Sequence, residues 1–358
     1  MVPIEISSYC ASNCRFCGWS KDNKEMLRLK ISSEALIQQT RYLAKLGFSH
    51  FEISSGDDLN YIKNELSGSI KDVKETASAI IPEARVSICL TPLLEPHYQS
   101  LKSIGLDTVL TWQETYSEDL FYSHVSSGPK AHGILMDFTV DPKKNGYIAR
   151  MKSHEYAVRS GLQVGLGVMI GLSADPEIDI LSVILHAQEL IKNYRSVINP
   201  IIIGMPTWNS ITTSNTDNLV QHRQPLNIED NFELISAIYL LALPDYFAWV
   251  FPNCRVSKKT QLKSIISAGC FTSTMVRVGP GAYLDLLNEK AIESAFIKSS
   301  KNKKKLDQEN ILKAEQFIHH FDSHEKYLEE FIANDIRVST DQSILEKFKR
   351  ETNVDRLC

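Results

Sequence analysis

The sequence predicts an α/β fold, a TIM-type (β/α) barrel, full or partial, with a helical C-terminal appendage. Between residues 2 and 290, short β-rich runs alternate with amphipathic helical stretches, and glycine or proline closes most of them. About eight such alternations fit into this span, as a parallel sheet with helical crossovers requires. The unusual polar residues also fall just after predicted strands, where a barrel of this kind gathers its reactive groups.

The elements follow in order. Residues 2–8 form a strand that runs straight into a group of cysteines. Residues 33–46 carry apolar side chains at helical spacing (Leu36, Ile37, Leu43, Leu46) and stop at Gly47, which suits a helix C-terminus. A strand at 50–54 ends in Gly56, and another at 86–90 is closed by Thr91-Pro92. A helix then runs to Gly105 and a strand covers 108–112. After an insertion come a helix around 150–159, ending at Gly161, and a strand at 163–170. The rhythm repeats as a helix at 178–192, a strand at 197–203, a helix at 228–243, a strand at 247–251, a helix at 258–268 and a last strand at 271–276. Residues 1–290 are therefore expected to form the barrel. Residues 291–358 are rich in lysine and glutamate with helical periodicity over 311–331, and are expected to form a helical extension packed on it.

At 358 residues the chain is longer than one compact core usually needs, but barrels of this class reach that size as single domains. Hydrophobic residues at 43% and charged residues at 23% point to a soluble globular chain rather than a disordered one. A net charge of −4 gives no electrostatic footprint for nucleic acid or an anionic membrane. No run is apolar and long enough to span a bilayer, and no signal peptide precedes Cys10. The basic cluster at 299–305 reads as a solvated linker. Seven cysteines, three of them crowded into eight residues, argue against a secreted disulfide scaffold and for a reducing, cytoplasmic setting.

The crowded cysteines are Cys10-x3-Cys14-x2-Cys17, directly after the first strand. Three thiolates in one short loop can cap three corners of a [4Fe–4S] cubane. The fourth iron is then open to chelation by the amino and carboxylate groups of S-adenosylmethionine (SAM). A structural zinc site would want four ligands with paired C-x2-C spacing, and no partner pair exists. Cys89, Cys254, Cys270 and Cys358 are scattered, and Cys89 inside an apolar strand reads as a core residue.

The cysteine loop resembles that of radical SAM enzymes, and the rest of the chain is similar to one branch of them, the aromatic amino acid lyases. That branch contains the tyrosine lyases of thiazole biosynthesis and hydrogenase maturation and the tryptophan lyase that makes 3-methyl-2-indolic acid. The similarity runs in order from Cys10 to about Tyr283. It is carried by Gln113-Glu114-Thr115-Tyr116, by Gly128-Pro129-Lys130, by Arg150 eleven residues before Gly161, by the strand Gly165-Leu166-Gly167-Val168-Met169-Ile170-Gly171-Leu172, and by Arg255, 28 residues before the Tyr283 of Gly279-Pro280-Gly281-Ala282-Tyr283. Only nine residues precede Cys10, so part of the N-terminal cover usual in the family is expected to be absent.

The resemblance implies a role for each residue. Glu114 would accept the ribose hydroxyls of SAM and Arg150 would sit on its carboxylate. In the stretch Ser55-Gly56-Asp57-Asp58, where the family has Gly-Glu, Asp57 or Asp58 would contact the SAM amino group. Arg255 follows a very apolar strand, where a buried guanidinium needs a partner such as a substrate α-carboxylate. Among Thr272, Ser273 and Thr274, one or two hydroxyls would face the substrate, Ser273 foremost. The implied partners are a small amino acid and an external electron donor of flavodoxin or ferredoxin type. The implied reaction is one-electron cleavage of SAM, hydrogen abstraction from the amino group of the amino acid, and cleavage of a carbon–carbon bond. A C-terminal cysteine cluster, as in the hydrogenase-maturation type, is missing. The stretch 271–283 is closer to the tryptophan branch, which makes L-tryptophan the expected substrate. The alternatives are a tyrosine lyase giving p-cresol and dehydroglycine, or another radical SAM reaction such as a mutase step.

Overall fold

The computed structural model describes residues 1–209, 228–244, 247–269, 271–287, 314–317 and 322–339. Seven parallel strands form one open sheet: β1 (Val2–Glu5), β3 (His50–Ser54), β4 (Arg85–Cys89), β5 (Thr108–Leu110), β7 (Gln163–Gly167), β8 (Ile201–Gly204) and β9 (Ala248–Phe251), neighbours in that order. They are buried along nearly their whole length, which suits the unbroken apolar runs of β8 and β9. A short antiparallel pair, β2 (Asn13–Cys14) with β6 (Val125–Ser127), stands outside the sheet and anchors the cysteine loop.

The helices that cross between strands are α1 (Ser33–Lys45), the pair α2 (Leu59–Asn64) and α3 (Leu66–Ser78), α4 (Glu95–Ser103), α7 (Gly146–Arg159), α8 (Pro176–Tyr194), α9 (Ile228–Ala242) and α10 (Lys258–Ala268). Two short ones, α5 (Glu118–His124) and α6 (Pro129–His132), sit in the insertion after β5. Capping follows sequence chemistry: Ser32 Oγ accepts from the Ala35 N–H at α1, and Ser257 Oγ from the Thr260 N–H at α10. None of the described helices is long and apolar enough to cross a membrane.

The sheet is a partial barrel, and the expected last strand at 271–276 does not form. The Phe271 N–H donates to the Val250 carbonyl at 3.3 Å, and the chain then leaves the ladder. Side chains take over the carbonyls a strand would use: Thr272 Oγ1 donates to Pro252 O at 2.9 Å, and Gln261 Nε2 to Ser273 O at 3.0 Å. Met275 adopts a φ of 53°, which ends any extended run.

Part of the C-terminal region lies on this frame. In α11 (His324–Ala333), Tyr327 and Phe331 pack on Leu262 and Ile265 of α10. Two such rings contribute about 1.5–3 kcal/mol each by burial. Of the stretch 311–331 expected to be helical, the described residues form a turn at 314–317 and a helix from His324, and 311–313 and 318–321 lie outside the described residues. The basic cluster at 299–305, Cys270 and Cys358 also lie outside them.

Candidate active site

The chain leaves β1 and enters the loop of Cys10, Cys14 and Cys17. Arg28 pins that loop: Nη1 donates to the carbonyls of Ser8 at 2.6 Å and Trp19 at 2.7 Å, and Nη2 to Ser20 at 2.6 Å. Two glycines let neighbouring segments close onto it. A Cβ on Gly56 would stand 2.4 Å from Tyr9 O, and one on Gly128, at φ +83°, 2.2 Å from Ala11 O. No side chain fits at either position, which gives Ser55-Gly56-Asp57 and Gly128-Pro129-Lys130 a packing reason.

The three cysteines are not in disulfides. Burial pushes all three thiols up, that of Cys10 to about 12, with the charge of Asp57 adding to the effect there. A bare thiolate is unfavourable in such a place, and iron at the sulfurs would reverse that. Two N–H groups already point at sulfur: Asp57 N–H at Cys10 Sγ, 3.4 Å, and Gln316 Nε2 at Cys17 Sγ, 3.2 Å. The thiols of a cubane each bind a different iron and need not converge; among the described residues no three His, Cys, Asp or Glu side chains converge on a single-ion position. The residues present fit a thiolate-held cluster with one open corner.

One cavity of about 190 Å³ runs from the cysteines into the barrel, and Gly56, Asp57, Glu114, Arg150, Arg255 and Ser273 also line it. Glu114 is 4% exposed and sits at φ 71°, an uncommon conformation for a non-glycine residue. Its main chain is held there by the Met169 N–H, which donates to Glu114 O at 2.8 Å. Glu114 Oε1 accepts from Lys130 Nζ and lies 3.6 Å from Arg150 Nη2. Burial pushes the Glu114 carboxyl up, but Lys130 and Arg150 together outweigh it and hold the group below the usual carboxylate range. Arg150 also donates from Nε to the Trp112 carbonyl at 2.7 Å. Arg255 lines the same cavity. Its Nη1 donates weakly to Thr207 O at 3.4 Å, and its Cζ lies 3.8 Å from the centre of the Phe317 ring. Among the described residues, no carboxylate lies within ion-pair distance of it.

The structure thus brings nine of the sequence-predicted residues to one cavity: Cys10, Cys14, Cys17, Gly56, Asp57, Glu114, Arg150, Arg255 and Ser273. Asp58 stays away. Its Oδ1 caps α2 by accepting from the Tyr61 N–H at 3.2 Å, and its Oδ2 accepts from Ser7 Oγ at 3.0 Å. The Asp57 carboxylate is engaged by the Ser12 hydroxyl. Thr272 turns to Pro252 O and Thr274 to His324 Nδ1, so Ser273 alone of the three lines the cavity. Sequence reasoning missed Lys130 as a partner of Glu114, although the Gly-Pro-Lys element held the signal. It also missed Glu5 and Glu52, which alternation along β1 and β3 turns inward. Gln316 and Phe317 left no local signal.

No family model matches the chain. Over 200 residues it is 28% identical to the 2-iminoacetate synthases of Salmonella typhimurium and Escherichia coli, a span of 54% of this chain and 46% of theirs. It is 25% identical over 186 residues to the [FeFe] hydrogenase maturase subunit HydE of Thermotoga maritima, covering 52% of this chain and 47% of that one. The chain spans about half the length of the curated relatives it matches. Among solved structures, HydG, a maturase of the [FeFe]-hydrogenase, superposes with a TM-score of 0.74 at 20% identity over 96% of this chain and 65% of that one. Methylornithine synthase (PylB) gives 0.62 at 14% identity over 97% and 84%. These two likenesses bear on the fold, and both agree with an open parallel barrel. With the cysteine loop at the mouth of that barrel, these similarities relate the chain to 2-iminoacetate synthase and the HydE maturase, in keeping with the radical SAM enzymes that the loop resembles.

Proposed function

We propose that this chain is a radical SAM lyase that cleaves a carbon–carbon bond of a free aromatic amino acid. The observation that carries the reading is Arg255: it lines the same cavity as the three cysteines and, among the described residues, has no carboxylate at ion-pair distance. A substrate α-carboxylate would supply one. When bound, a [4Fe–4S] cluster with SAM supplies a 5′-deoxyadenosyl radical able to take one hydrogen from a substrate. Cys10, Cys14 and Cys17 hold that group at the barrel mouth. Glu114, kept ionised by Lys130 and Arg150, and the loop of Gly56 and Asp57 orient SAM; Arg255 and Ser273 orient the amino acid. The barrel walls exclude water. The electron comes from an external donor of flavodoxin or ferredoxin type.

The matched relatives put tyrosine ahead of tryptophan, the reverse of the order expected from residues 271–283. 2-Iminoacetate is the dehydroglycine left when the Cα–Cβ bond of tyrosine breaks after loss of an amino hydrogen; the other fragment takes one electron and one proton and leaves as p-cresol. Tryptophan keeps the support of residues 271–283, which depart from the serine- and glycine-rich version of the tyrosine enzymes. Reduced, cluster-loaded protein incubated with SAM and each amino acid, with products read by mass spectrometry, tests both. p-Cresol with 5′-deoxyadenosine from tyrosine supports the first reading, and 3-methyl-2-indolic acid from tryptophan the second. Absence of 5′-deoxyadenosine with every aromatic amino acid would sink the lyase.

A further inference from the structure

The same cavity holds two acids that the chemistry above does not use. Glu5 on β1 and Glu52 on β3 both line it. Strand register puts them there: Pro3 lies opposite Glu52 and Glu5 opposite Ser54, and alternation turns all four inward. Glu5 is 4% exposed; its side chain bonds Ser54, while its Oε2 has no hydrogen-bond partner. Glu52 bonds Cys89. No lysine or arginine among the described residues makes an ion pair with either acid. The Met1 amino group, which burial pushes down to about 5, is near Glu52 but donates to Thr272 O at 2.9 Å.

The positive charge of Arg255 is felt at both acids, yet none of the three is neutralised at close range. A buried guanidinium and buried carboxyl groups that lack close partners are costly when the space is empty. A ligand that brings a carboxylate to Arg255 and a hydrogen-bond donor to the acids relieves both. Trp112 and Phe251 add apolar lining to the same cavity.

We infer that Glu5 and Glu52 form a donor-recognition subsite, accepting hydrogen bonds from an N–H or O–H of an amino acid whose carboxylate sits on Arg255 and whose apolar body lies along Trp112 and Phe251. The inference rests on the amino acid reading given above. Burial, followed by their mutual repulsion, pushes Glu5 to about 8, and burial pushes Glu52 to about 7. The pair therefore keeps a proton near neutrality and can both accept and donate, which suits a phenol. The donor is either the side-chain end or the α-amino group.

Isothermal titration of cluster-loaded protein with SAM separates these. The ligands are tyrosine, tryptophan, phenylalanine and 3-(4-hydroxyphenyl)propionate, and the proteins are wild type, Glu5→Leu, Glu52→Leu and Arg255→Lys. Iron content and circular dichroism confirm folding; Glu5→Gln and Glu52→Gln replace any leucine variant that loses the cluster. Tyrosine or tryptophan should bind at least about tenfold tighter than phenylalanine, a preference that collapses in the Glu5 and Glu52 variants. A tenfold loss for the propionate that those variants abolish also supports the subsite and assigns its donor to the α-amino group. Affinities untouched by the glutamate variants but weakened by Arg255→Lys overturn the subsite alone. Failure of every amino acid to bind overturns the substrate reading as well.

Discussion

The guanidinium of Arg255 stacks on the ring of Phe317, its Cζ 3.8 Å from the ring centre. Phe317 belongs to a short segment far along the chain that is tied to the cysteine loop. The Gly18 N–H donates to Gln316 O at 2.9 Å, the Trp19 indole to Ala314 O at 2.9 Å, and the Gln316 N–H to Val278 O at 3.0 Å. Residues 314–317 therefore touch the cysteine loop and the cavity arginine together and cover both.

The first prediction concerns that stack. A cation–π contact in a desolvated site is worth about 2 kcal/mol, and about 1.4 kcal/mol is tenfold in affinity. Phe317→Ala should raise KM for the amino acid about tenfold while kcat stays within about threefold, and Phe317→Tyr should restore it. Steady-state formation of 5′-deoxyadenosine measures both. An equal fall in kcat with KM unmoved would remove Phe317 as a positioning residue for Arg255.

Gln316 supports a second prediction. Its amide donates to Cys17 Sγ at 3.2 Å, and an N–H aimed at a cluster sulfur stabilises the reduced, more negative state. Gln316→Leu should lower the reduction potential by about 50 mV, since a one-electron couple moves about 59 mV for each tenfold change in equilibrium constant. An electron-paramagnetic redox titration reads this directly. An unchanged potential would mean the amide has no such role.

Much of this architecture was legible beforehand, and the gaps have physical causes. The apolar runs, the glycines ending helices and the cysteine spacing are local, so β3 and α10 fall where expected. Pairing is not local. Phe271 to Val276 has the composition of a strand, but Gln261, on the preceding helix, satisfies carbonyls that a ladder would have used. The choice between Asp57 and Asp58 turned on capping: Asp58 starts α2, while Asp57 faces the cavity. Gln316 and Phe317 meet their partners across almost the whole chain, and no periodicity marks such contacts.

Gly128 gives a third prediction. A Cβ there would meet the main chain of the cysteine loop at 2.2 Å, and the φ of +83° adds strain for any L residue. Gly161, at φ +75°, has nothing within 4 Å of the same point and isolates the strain term. Gly128→Ala should lose more than about half of its bound iron with far-ultraviolet circular dichroism preserved, whereas Gly161→Ala should keep its iron. Equal iron in both would show that the close approach to the cysteine loop is not needed.

The last prediction follows from Glu5. Burial first, then the charge of Glu52, raises this carboxyl from 4.5 to about 8. The folded protein thus holds a proton that the unfolded chain releases above about 4.5. That contribution to stability is fully present below the unfolded value and is lost as pH rises through about 8. Glu5→Gln keeps the shape and carries no charge at any pH, so it removes this slope. Melting curves of the two proteins should coincide near about pH 5, and the variant should melt about 2 °C or more above wild type near about pH 9. The cysteine thiols titrate in both proteins and cancel in the difference. Parallel curves across this range would mean that Glu5 is ionised in the folded protein at neutral pH, with a cation or solvent close to Oε2.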